Sequence, residues 1–155
     1  MLELADGTAL SECTAITEYL DHMDGTPWLT GADARSRGLI HMMNRRAEAG
    51  LLDAVAAFFH HATAGLGPAI ELWQNREWGE RNRVRAADCM VYLNDVLRTQ
   101  AWIAGDRYSM ADITAYAGLA FADFVQLEIP DACDALQAWR DRVAARPATI
   151  TAAAA

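Results

Sequence analysis

The sequence predicts a mainly α protein: an all-α helical bundle preceded by a short β-hairpin and one helix. Three observations predict it. Apolar residues recur at helical spacing from about residue 33 to residue 145. The first ten residues instead alternate around Asp6-Gly7, a dipeptide suited to tight hairpin turns because it tolerates positive φ. Of the 155 residues, 53% are hydrophobic and 22% charged, the balance of a folded globular chain and not of a disordered one.

The hairpin has Leu2 and Leu4 alternating with Glu3 before the turn, and Leu10 after it. From Glu12 the period changes. Ala15, Ile16, Tyr19 and Leu20 recur at helical spacing, so 12–22 reads as a helix, ended by the turn residues Asp24-Gly25-Thr26-Pro27. A long helix is expected over 33–62, with Leu39, Met43, Ala47, Leu51, Val55, Phe58 and Ala62 in one apolar stripe. Gly65-Leu66-Gly67-Pro68 breaks it, and 69–79 reads as irregular chain rich in Trp and Asn. A second amphipathic helix is expected over 80–98, with Ala86, Met90, Leu93 and Leu97 inward and Arg81, Arg83 and Arg85 on a solvated face. The nearly uncharged stretch 110–125, with Ile113, Ala117, Ala120, Phe121 and Phe124, reads as a helix buried in the middle of the bundle. A last helix over 131–145 turns Leu136, Trp139 and Val143 inward and stops near Arg146-Pro147. The tail, Ala152 to Ala155, is too simple to read. Two short strands and one helix cannot complete a sheet, so the expectation is that neighbouring strands are missing from the chain.

The net charge of −8 argues against nucleic acid and anionic membranes, which select basic surfaces. No apolar run approaches the roughly 18 residues of a membrane span. Met1 to Asp6 lacks the basic start and apolar stretch of a signal peptide. Cys13, Cys89 and Cys133 are odd in number and far apart, which fits neither a disulfide framework nor a metal site. A reducing cytoplasm is the expected compartment.

Two motifs carry local chemistry. Ser109-Met110-Ala111-Asp112 reads as a capping box, in which the Asp112 carboxylate reaches back to the N–H of Ser109, with Tyr108 and Ile113 placed for a hydrophobic staple. His60-His61 point about 100° apart on a helix, poor geometry for one metal, so a solvated helix end or a pocket edge is expected.

Three stretches in order carry a family resemblance: Leu2 to Leu20 (a hairpin, then Glu12-Cys13, Ala15-Ile16 and Tyr19-Leu20), Ala104-Gly105-Asp106-Arg107-Tyr108-Ser109-Met110-Ala111-Asp112-Ile113, and Ile129-Pro130 through Trp139 to Arg146-Pro147. Together they resemble the cytosolic glutathione S-transferase family over nearly the whole chain. The resemblance implies that 1–24 is the C-terminal remnant of a thioredoxin-like glutathione-binding domain and 33–147 the all-α C-terminal domain. It also implies a strand, helix and strand upstream, carrying the residue that activates the glutathione thiol, and hence a chain that starts at an internal methionine. No catalytic residue is therefore assigned.

In the family a Glu-Ser pair opens a helix and holds the γ-glutamyl end of glutathione. Here the matching residues are Glu12 and Cys13. A helix N-terminus offers open N–H groups to a carboxylate. The Cys13 backbone keeps that donor, but a thiol is a weaker donor than a hydroxyl. Read without the resemblance, Glu12 is an acid near a helix start and Cys13 a small residue. Met42, Met43, Arg46, Phe58 and Phe59 lie on the helix that, in the family, walls the electrophile pocket and faces a dimer partner. The resemblance implies glutathione as co-substrate, no metal, a small electrophile, a homodimer, and a cytoplasmic role in detoxification. The alternatives are a non-enzymatic binding or assembly module, or a glutathione-dependent isomerase, dehalogenase or disulfide reductase.

Overall fold

The computed structural model describes residues 1–153; Ala154 and Ala155, in the unread tail, lie outside the described residues. The hairpin forms as expected. Strands β1 (Leu2–Glu3) and β2 (Ala9–Leu10) pair antiparallel, Leu2 opposite Leu10. Gly7 turns the chain at φ 84°, and Leu4 N–H donates to the Thr8 carbonyl at 2.8 Å. Helix α1 (Cys13–His22) follows, and none of its residues is fully buried.

The long helix is one rod of three parts: α2 (Ala34–Ala47), a π-helical turn (Glu48–Leu52) and α3 (Asp53–Ala62). Asp33 caps its start, accepting from the Ser36 N–H at 2.9 Å. Met43, Ala47, Leu51 and Val55 are all buried. A four-residue repeat drifts about 40° per step around a 3.6-residue helix. The wider π turn takes up that drift, so the stripe stays on one face. Its close packing is visible at two glycines. A Cβ at Gly50 would lie 2.7 Å from Cys89 Sγ, and one at Gly118 would lie 2.7 Å from Leu51 Cγ.

Helix α4 (Arg76–Leu97) starts four residues earlier than expected, inside the stretch read as irregular. The reason is Asn75, whose side chain accepts from the Trp78 N–H at 3.0 Å and caps the helix. Ala86, Met90, Leu93 and Leu97 are buried as expected. Helix α5 (Met110–Phe124) corrects a second expectation. It buries Ala111, Ala115, Leu119 and Ala122, yet Ile113, Ala117, Ala120 and Phe124 are exposed. The helix is central on one side only. Helix α6 (Asp134–Ala144) turns Leu136, Trp139 and Val143 into the core. The expected stop at Pro147 is a restart: α7 (Pro147–Ala153) begins on that proline, whose missing N–H costs nothing at a first helical position.

The core gathers these faces, and Asp112 lies at its centre, fully buried. The capping box is present, with Ser109 N–H donating to Asp112 Oδ2 at 2.9 Å. The other carboxylate oxygen accepts from Ile103 N–H at 3.0 Å and from Trp139 Nε1 at 2.9 Å. Burial pushes the Asp112 carboxyl up from its ordinary value, against the pull of these donors. Of the two residues placed for a staple, Tyr108 packs edge-on against Trp102 and Ile113 lines a cavity.

Candidate functional site

Three ties fix α1 against the bundle. Asp21 accepts from the N–H groups of Trp28, Leu29 and Thr30 at 2.8–3.1 Å and from the Thr30 hydroxyl at 2.8 Å. The linker is in turn held to the start of α5, where Met110 N–H donates to the Leu29 carbonyl at 3.0 Å. Arg107 donates to the Trp28 carbonyl at 2.8 Å and stacks over the Trp28 ring at 4.0 Å. The third tie is ionic. Arg37 donates to Glu18 at 2.8 Å, and His41 Nε2 lies 2.5 Å from the other Glu18 oxygen. Burial opposes ionisation of Glu18, but the hydrogen bonds from His41 and Arg37 outweigh it and hold its carboxyl below the ordinary value. For Asp21 the backbone donors likewise overcome burial.

These ties aim the start of α1 at the bundle. Glu12 is the N-cap residue, with φ 67° and ψ 125°. A non-glycine backbone in that region costs about 1–3 kcal/mol and concentrates at ligand sites. Its side chain makes no capping bond. The N–H groups of Cys13, Thr14 and Ala15 open the helix without an intrahelical acceptor, and both Glu12 and Cys13 are exposed. The positive end of the helix dipole therefore meets solvent there, a ready site for a carboxylate.

A cavity of about 200 Å³ continues from this point into the bundle. Cys13, Thr14 and Thr17 line it from α1; Asn44, Glu48 and Leu52 from the long helix; Ile113 and Ala117 from α5. Farther along α3 and α5 lies a second cavity of about 310 Å³, bordered by Phe59, Thr63 and Phe124. Phe59 packs edge-on against Phe121 and Phe124, whose own rings are tilted at 45° to each other, with centroids 5.5–6.2 Å apart across the three pairs. The apolar face that α5 leaves uncovered thus contributes Ile113 and Ala117 to the first cavity and Phe124 to the second.

The other sequence candidates divide. Met43 is core, Met42 is exposed on the outer side of α2, and Phe58 is half-buried. Arg46 donates to the Tyr92 hydroxyl at 2.6 Å. His60 Nδ1 is 2.7 Å from Glu71, and the His61 ring packs edge-on against Trp73. Among the described residues, no group of three or more His, Cys, Asp or Glu side chains converges as a metal site would. Cys89 is buried, and burial pushes its thiol up to about 11. Asn44, Thr17 and Ile113 were not singled out for the first cavity by sequence reasoning. Asn44 had a signal: it is a polar residue on the inward face of an amphipathic helix, four positions after buried Ile40.

The family model for the C-terminal domain of glutathione S-transferase matches residues 53–147. The chain belongs to the glutathione S-transferase family. It is 57% identical over 147 residues to "Glutathione S-transferase 2" of Saccharomyces cerevisiae, covering 95% of this chain and 63% of that protein. The chain thus spans less than two thirds of the length of that curated relative. Among solved structures it resembles Gtt2 of Saccharomyces cerevisiae, with a TM-score of 0.95 at 56% identity over 97% of this chain and 72% of that one. It also resembles a glutathione S-transferase domain-containing protein of Marinobacter aquaeolei, with a TM-score of 0.92 at 55% identity, covering 96% of this chain and 72% of that one. The expected fold class therefore holds.

Proposed function

We propose that the chain binds glutathione at the N-terminus of α1 and belongs to a transferase that uses glutathione on small electrophiles. Glu12 and Cys13 are the binding residues: the Cys13 N–H donates to the γ-glutamyl carboxylate, and the Glu12 carboxylate faces its ammonium group. The observation that carries the reading is the backbone of Glu12. Its left-handed φ, with no side-chain cap, is unfavourable for folding alone, and it stands next to Cys13, which lines the cavity.

The reaction follows from these cavities. The thiolate of bound glutathione attacks an electrophilic carbon, a carbon–sulfur bond forms, and the leaving group departs with the electron pair. The uncovered face of α5 and the Phe59, Phe121 and Phe124 cluster give an apolar wall for the electrophile. By the family resemblance, the thiol-activating residue belongs to a strand–helix–strand unit that these 155 residues do not include. The same reading divides the chain into 1–24, with the glutathione-binding helix, and 33–147, the helical domain. It makes the protein a homodimer acting in cytoplasmic detoxification.

Calorimetric titration with reduced glutathione tests the proposal. Binding that is lost in a folded Glu12→Ala variant supports it. Binding unchanged in that variant contradicts the assigned site. Binding without conjugation of any electrophile by the full-length protein favours a non-enzymatic binding module instead.

A further inference from the structure

We infer that His22 is a proton-controlled latch between α1 and the helical bundle: neutral, it accepts a hydrogen bond from Arg37 of α2; protonated, it releases Arg37 and turns to Glu18 on its own helix. Arg37 Nη1 lies 2.6 Å from His22 Nε2. A guanidinium has donors only, so His22 Nε2 is the acceptor and the ring carries its proton on Nδ1. The neighbouring imidazole is set the other way. His41 Nε2 lies 2.5 Å from Glu18 Oε1, and an ionised carboxylate only accepts, so His41 carries a proton on Nε2.

The groups that face His22 are placed for an exchange of partners. On its own helix Glu18 Oε2 stands 3.4 Å away, and Arg37 Nη2 donates to that same oxygen at 2.8 Å. From the linker, Thr30 Oγ1 lies 3.2 Å from His22 Nε2, while the Thr30 hydroxyl donates to Asp21 Oδ2 at 2.8 Å. Protonation puts a hydrogen on Nε2. It then opposes the Arg37 donor and finds acceptors in Glu18 Oε2 and Thr30 Oγ1. A bond between α1 and α2 is thus exchanged for one within α1, at the i, i+4 spacing that suits such pairs.

The other groups of the joint hold still during this exchange. Burial opposes the charges of Glu18 and Asp21, but their hydrogen bonds outweigh it and keep both carboxyls below their ordinary values, so both stay ionised. His41 donates to Glu18 whether neutral or charged, and Asp21 keeps the linker. Those contacts keep α1 attached as Arg37 leaves. The His22 and Arg37 side chains are 40% and 36% exposed, so protons reach the latch without unfolding. Histidine is the side chain suited to a change of this kind between about pH 5 and 8.

Proton–nitrogen NMR of the ligand-free chain tests the latch, whatever binds at the other end of α1. The expected result at about pH 8 is a His22 ring protonated on Nδ1 and a His41 ring protonated on Nε2. On lowering the pH to about 5, the Arg37 guanidinium is expected to lose its Overhauser contacts with the His22 ring, on the same curve as that ring titrates. In His22→Gln, which keeps an acceptor at every pH, the Arg37 signal is expected to show no such step, whereas His41→Gln keeps it. A His22 ring protonated on Nε2 at about pH 8, Arg37 contacts that persist through the His22 titration, or an Arg37 step that survives in His22→Gln overturns the inference. Should a variant not fold, the tautomers and contacts of the parent chain decide alone.

Discussion

Trp139 Nε1 donates to Asp112 Oδ1 at 2.9 Å, pinning the middle of α6 to the first turn of α5. The same carboxylate holds Ile103 and Ser109, so one buried side chain joins a loop, a helix start and a second helix. Asp112→Ala leaves four buried donors without this acceptor: the N–H groups of Ile103 and Ser109, the Ser109 hydroxyl and Trp139 Nε1. The expected cost is about 3 kcal/mol or more, or a fall of roughly 10 °C in Tm. Asp112→Asn is also expected to destabilise, since its NH2 group faces donors. Thermal melts by circular dichroism check both.

Glu18 and Asp21 give the attachment of α1 a pH dependence. Both carboxyls are held below their ordinary values in the fold, so the unfolded chain takes up protons first as pH falls. Their contribution is present above the unfolded values of 4.5 and 3.8 and is lost as pH drops through the lower folded values. Asp112 runs the other way: its raised carboxyl contributes less as pH rises from the acid side. The linker residue Trp28, bonded to Asp21, is expected to change fluorescence below about pH 4 in the parent chain. In Glu18→Gln, which keeps an acceptor but loses the charge, that change moves to higher pH.

Much of this fold was legible in the sequence. Asp6-Gly7 announced a turn because few residues accept a φ of 84°, and Ser109 with Asp112 announced a helix start because both ends of the box are side-chain chemistry. The start of α4 was hidden, because a single Asn75 cap weighs little against a loop-like run of Trp and Asn. The π turn leaves no local signature; it shows only as a four-residue stripe that stays in phase too long. Ile113, Ala117 and Phe124 read as core, since periodicity reports an apolar face but not what covers it. Glu12 and Cys13 were legible only through the family resemblance, and the strained backbone of Glu12 became visible only in the structure.

Gly118 lets α5 approach the π turn. A Cβ there meets Leu51 Cγ at 2.7 Å and Cδ2 at 2.9 Å, and Leu51 is fully buried. Gly118→Ala is expected to cost about 1–3 kcal/mol by overpacking. A urea midpoint lowered with an unchanged slope is the matching observation.

The three thiols should react very differently. Cys13 is exposed, whereas Cys89 and Cys133 are buried and burial raises both of their pKa values, that of Cys89 to about 11. At pH 8 about a thousandth of Cys89 is thiolate even when reached. Iodoacetamide with mass spectrometry is expected to label Cys13 alone in the native chain and all three thiols in denaturant.

The central claim is that the start of α1 binds the γ-glutamyl end of glutathione. A crystal structure of the chain grown with glutathione tests it most directly. The account predicts a carboxylate oxygen within about 3 Å of the Cys13 N–H, with the Glu12 side chain turned to the ligand's ammonium group. Glutathione bound elsewhere, with the Cys13 N–H open to solvent, contradicts it.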